Sequence, residues 1–96
     1  MTVIANSTAT LNAGQTSSWF TPSQSLFFAD VDSAGDVVIE TRRGSTDNAP
    51  KTVAHTVGDG RARITGPISV QIASGTGRDY RFVCLSGSFV SVAADE

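Results

Sequence analysis

Gly35-Asp36-Val37-Val38-Ile39-Glu40-Thr41-Arg42 is the stretch that decides the fold class of this chain. Val37, Ile39 and Thr41 fall on one side of an extended backbone, and Val38, Glu40 and Arg42 on the other. That period of two marks a half-buried strand. The same alternation recurs outward in both directions. Residues 24–31 set Phe27, Ala29 and Val31 against Leu26 and Phe28, and residues 51–57 group Val53 with His55 and Val57. Further strands are expected over 62–65, 68–72, 79–85 and 89–93, with weaker ones over 8–11 and 16–20.

Turn-forming residues stand at nearly every break: Asn12-Ala13-Gly14, Gly58-Asp59-Gly60, Gly66-Pro67 and Ser86-Gly87-Ser88. Such residues adopt the tight backbone angles that reverse a chain. The spacers are too short for the helical crossovers that parallel strands require. The expected fold is therefore all-β, a small antiparallel β-sandwich, immunoglobulin-like or jelly-roll-like, of about seven or eight short strands. Its expected core is Phe27, Val37, Ile39, Val53, Ile64, Ile68, Val70, Ile72, Tyr80, Phe82, Val90 and Val92.

Charge is distributed unevenly. The chain has 96 residues, yet its first charged side chain is Asp30. A neutral, β-prone segment gains order by pairing in a sheet or by lying on another molecule. Residues 1–20 are accordingly read as an N-terminal arm or edge strand, and 21–96 as a single sandwich domain. The apolar residues Val3, Ile4, Leu11, Trp19 and Phe20 are candidate interface residues, together with Arg42 and Arg43 at a strand end. Trp19 and Phe20 are neighbours on an expected strand, so one ring can fill the core while the other is left outside, the alternative being that the chain's own loops cover both.

The remaining chemistry is sparse. A net charge of −2 argues against general affinity for nucleic acid or acidic membranes. No run approaches the ~20 apolar residues of a membrane-spanning helix. One cysteine, Cys84, precludes an intrachain disulfide, and with the one histidine, His55, it falls short of a zinc ligand set. Cys84 reads as a small core residue. Asp30-Val31-Asp32-Ser33-Ala34-Gly35-Asp36 faintly resembles a calcium loop, but Ala34 and Thr41 stand where two ligands belong. An Asp/Gly hairpin is the simpler account. The basic residues cluster between 42 and 81, with Asp47, Asp59 and Asp79 beside them as partners. No catalytic residue, cofactor or metal site is expected, and the chain is read as not an enzyme.

Val37-Val38-Ile39-Glu40, Gly66-Pro67-Ile68-Ser69-Val70-Gln71-Ile72-Ala73, Asp79-Tyr80-Arg81-Phe82 and Ser86-Gly87-Ser88-Phe89-Val90-Ser91-Val92 form a further pattern: strand, Gly-Pro strand, Gly-rich turn, Tyr-Arg-Phe strand and closing short hairpin. In this it resembles small β-sandwich virion proteins of tailed bacteriophages, over somewhat more than half its length. The resemblance implies a structural role as capsid decoration or as a head or tail accessory protein. It also implies capsid or other virion proteins as partners, a homo-oligomer (a trimer by analogy), and location in the virion after synthesis in the host cytoplasm. The alternative is a carbohydrate- or receptor-binding module, motivated by Trp19 and the polar loops.

Overall fold

The computed structural model describes residues 2–46, 48–53, 62–74 and 77–96. It is all-β, as expected: β1 (Ala9–Leu11), β2 (Leu26–Arg42), β3 (Lys51–Thr52), β4 (Ile64–Ala73), β5 (Asp79–Ser86) and β6 (Val90–Asp95) form one antiparallel sheet. The pairing groups these strands into four long lines. β2 is the spine. On one side of it, β3 pairs with Thr41 and Glu40, and β4 continues the same edge from Val37 to Leu26. On the other side, β5 pairs from Arg42 to Asp36, and β6 continues from Val31 to Phe28. The fourth line is the N-terminal segment, which runs along the outer side of β6 and β5 from Val3, opposite Asp95, to Phe20, opposite Tyr80.

Three expected turns therefore do not reverse the chain. The Asp/Gly hairpin expected near Asp30 to Asp36 is uninterrupted strand within the 17 residues of β2. Gly66-Pro67 lies inside β4. Gly87 separates β5 from β6, but these two are consecutive stretches of one line along β2, not the two arms of a hairpin. The physical reason is visible in the register. Gly35 lies opposite Gly66, and a Cβ built on Gly35 would sit 2.9 Å from the Ser86 carbonyl oxygen and closer still to Val90 Cγ2. A Cβ on Gly66 would overlap the Ser33 carbonyl oxygen and Val31 Cγ1. Ala13 N–H donates to the Gly87 carbonyl at 3.2 Å, which brings Asn12-Ala13-Gly14 to the same level. All four lines cross one crease, where small residues let backbones approach closely.

The crease folds the sheet onto itself. Fourteen residues separate Phe27 from Thr41, about 46 Å of straight strand at 3.3 Å per residue. Yet the Phe27 ring lies 5.1 Å from that of Tyr80, the residue paired with Thr41. Two half-sheets thus face each other across Phe27, Ala29, Val31, Val70, Ile72, Val90, Val92 and Ala94 on one side and Phe20, Val37, Ile39, Ile64, Tyr80, Phe82 and Cys84 on the other. Ten of the twelve expected core residues are buried. Val53 is partly covered, and Ile68, on the edge strand β4, is 46% exposed.

The N-terminal segment is an edge strand, not a free arm. Ile4, Leu11 and Phe20 belong to the domain's own core. Ile4 N–H donates to the Ala94 carbonyl at 2.9 Å, Ser17 N–H to Phe82 at 2.9 Å, and Phe20 and Tyr80 exchange two bonds of 2.8 Å. Ser7 is fully buried, and its one hydroxyl proton is shared between the carbonyls of Ile4 and Ala94, both within hydrogen-bond distance. A neutral sequence suits this position, because a buried hydroxyl can satisfy backbone carbonyls at far lower desolvation cost than a charge.

Candidate protein-binding surface

Alternation places Phe20 inside and Trp19 outside, so the pair divides as expected. Trp19 is half-buried on the outer face of the upper half-sheet, the half holding β5. Two guanidinium groups lie over its ring, Arg42 at 4.2 Å and Arg81 at 4.5 Å from the centroid. Each arginine is held by a carboxylate directly across the β2–β5 pairing. Arg42 Nε is 2.9 Å from Asp79 Oδ2, and Arg81 Nη2 is 2.7 Å from Glu40 Oε1. Thr21 Oγ1 donates to the second Asp79 oxygen at 2.7 Å. The result is a neutral grid of two cations and two anions roofed by an indole. Arginine stacking suits this site, since the guanidinium plane offers hydrogen bonds at its rim and a face to the ring.

The other sequence-selected interface residues are scattered. Ile4, Leu11 and Phe20 are buried within the domain and are withdrawn from any contact surface. Val3 is 57% exposed at the far end of the N-terminal line. Arg43 is exposed beyond the end of β2, next to the ion-paired Arg42. The structure thus brings Trp19 and Arg42 together and leaves Val3 on the other half-sheet, paired with Asp95 of β6.

Three acidic groups are tuned by their surroundings. Thr65 Oγ1 donates to Asp36 at 2.7 Å, and Ser86 Oγ donates to its other oxygen. These bonds hold its pKa below the ordinary value, Thr65 contributing most, with Arg63 at 3.7 Å assisting. Glu96 accepts from the hydroxyl and amide of Ser23 and the amide of Gln24, which lowers its pKa. That clamp ties the chain's end to the crossing from Phe20 to β2. Asp95 moves the other way: burial and the neighbouring Asp30 carboxylate raise it, and its Oδ1 is buried without a partner among the described residues.

The remaining sequence candidates carry less. His55 and Asp47, Asp59 and Arg61 lie outside the described residues. Cys84 is buried, as expected of a small core residue. Asp30, Asp32 and Asp36 sit on one continuous strand, and among the described residues no three acidic, histidine or cysteine side chains converge as metal ligands. No protein-family model, curated protein or solved structure matches this chain.

One surface went unrecognised in the sequence. β4 pairs with β2 along its length, and among the described residues nothing pairs with its other side. Its exposed positions are Thr65, Pro67, Ile68, Ser69, Gln71 and Ala73. No charged residue occurs between Arg63 and Arg78. The signal was the one that drew attention to the first third, a neutral β-prone stretch. It was shorter, and nothing local marked it as an edge.

Proposed function

We propose that this chain is a structural, non-catalytic subunit of a tailed-bacteriophage particle: a decoration or accessory protein that binds the shell or neighbouring subunits. One observation carries the reading, the placement of charge. The two long edge segments of the folded sheet, the N-terminal line from Val3 to Phe20 and the strand β4, are free of charge. The charged residues of the described strands lie on β2, β5 and β6, with Lys51 on the short β3. Proteins that stay apart usually do the reverse and place charge on the edges. Neutral edges suit a subunit that spends its life in contact with others.

The mode of attachment differs from a peptide arm. Ile4, Leu11 and Phe20 are committed to the core, so contact would be made by backbone groups on the edges and by exposed Val3 and Ile68. Repetition on a lattice multiplies weak contacts into firm attachment. The resemblance to phage virion sandwiches supports this role: the residues that carry it fall mainly within β4, β5, β6 and the part of β2 beyond the crease. The test is to add purified chain to particles lacking it and pellet them through a cushion. Saturable binding, at a copy number fixed by the lattice, is the expected result. Binding no greater than that of an unrelated protein refutes the proposal.

A further inference from the structure

We propose that the free edge of β4 pairs antiparallel with the β4 of a second copy of this chain, joining two folded sheets across a two-fold axis. This deepens the assembly reading above by naming the surface that meets a neighbour.

The two edges of the sheet are not equivalent. The N-terminal line is interrupted: Asn6 adopts a left-handed φ of 65°, and only Ala9–Leu11 form regular strand. Short, kinked edges make poor templates for a further strand. β4 is ten residues long, and its pairing with β2 is unbroken from Ile68 to Ala73. Its outward N–H and C=O groups form a row with no partner among the described residues. Pro67 has no N–H to offer, which limits the usable row to the six residues beyond it.

A second copy is the occupant that the chemistry favours. A two-fold axis sets each residue of β4 opposite another of the same strand, so any charge would meet a like charge nearby. β4 has none. Centred on Val70, the pairing places Ile68 opposite Ile72 of the second copy and Ser69 opposite its Gln71. Ile68, 46% exposed in the single chain, would then be covered by the neighbouring inner face. A charged or strongly basic partner strand would gain nothing from so neutral an edge. Six residues a side make a small interface, so the dimer is reversible in solution and reinforced on a lattice.

The test pairs wild type with a Ser69→Lys/Gln71→Lys variant, whose lysines would oppose each other across the axis. Light-scattering mass is measured over a dilution series up to high micromolar concentration. The mass of wild type is expected to rise towards twice that of the chain. The variant is expected to remain at single mass with an unchanged melting curve. Wild type that stays at single mass throughout overturns the proposal, as does a variant that dimerises like wild type. Hydrogen exchange on wild type supplies a readout that does not depend on the variant folding. Outward amides of 68–73 slow with concentration if β4 pairs, and concentration-independent exchange there overturns the pairing. Particle binding is measured separately, so a subunit that coats particles but never self-pairs sinks this inference alone.

Discussion

Replacing Phe20 by alanine should cost this protein a large part of its stability. The ring is 2% exposed and meets three others: Phe27 at 5.6 Å edge-on, Phe82 at 5.7 Å and Tyr80 at 6.4 Å. Truncating a buried phenylalanine costs about 3–5 kcal/mol, from lost transfer energy and the cavity left behind. At roughly 0.05–0.15 kcal/mol per residue, a chain of 96 residues holds about 5–14 kcal/mol in all. The variant should therefore melt about 12–40 °C lower, at ~4–8 °C per kcal/mol, or fail to fold at all. Urea unfolding followed by far-ultraviolet circular dichroism measures the loss, with Val3→Ala as the control. Val3 is 57% exposed, and its truncation should stay within about 0.5 kcal/mol of wild type. If Phe20→Ala matched that control, the N-terminal line would not be packed as described. The same reasoning recasts truncation experiments. Deleting residues 2–12 removes Ile4, Ser7 and Leu11 from the core, so loss of particle binding in that variant would report unfolding rather than a missing arm.

Other outcomes follow from the crease, the outer face and the paired carboxylates. Gly66→Ala should destabilise by ~1–3 kcal/mol in the same urea assay, because its methyl group meets backbone and a buried valine with no room to yield. Trp19→Ala should cost about 1–2 kcal/mol, the sum of two partly exposed cation–π contacts, and leave glycan arrays as silent as wild type. An array signal abolished by that substitution would instead favour the carbohydrate-binding alternative. Asp95→Asn should raise the unfolding midpoint at pH 7. The folded state holds the Asp95 proton more tightly than the unfolded chain does, so wild-type stability falls as pH rises from the ordinary aspartate range through the raised pKa. The gain from Asn should shrink as pH falls back below that window, and a pH-independent difference would contradict the Asp30–Asp95 repulsion.

The alternating residues of β2 and β5 were legible because side-chain direction along a strand is a local property with a period of two. It identified Val37, Ile39, Tyr80 and Phe82 as core and predicted the division of Phe20 from Trp19. Cys84 was legible for the same reason. The turn signals were read correctly as places of special backbone geometry and incorrectly as reversals. Gly14, Gly35, Gly66 and Gly87 each break a strand when viewed alone. Only the register between strands sets them side by side, where they bend four lines at once.

By itself, then, the sequence determined the strand-forming segments, the inward and outward faces, and the absence of charge from residues 1–29 and 64–77. The tertiary structure alone decided that the N-terminal line from Val3 to Phe20 and the strand β4 lie on opposite edges of one folded sheet, that Ile4 and Leu11 close its core, and that Ile68 does not. Alternation is enforced by each residue's own backbone. Which strand ends up at an edge depends on hydrogen bonds between segments far apart in the chain, from Val37 with Ile64 to Val3 with Asp95, and no local pattern encodes them.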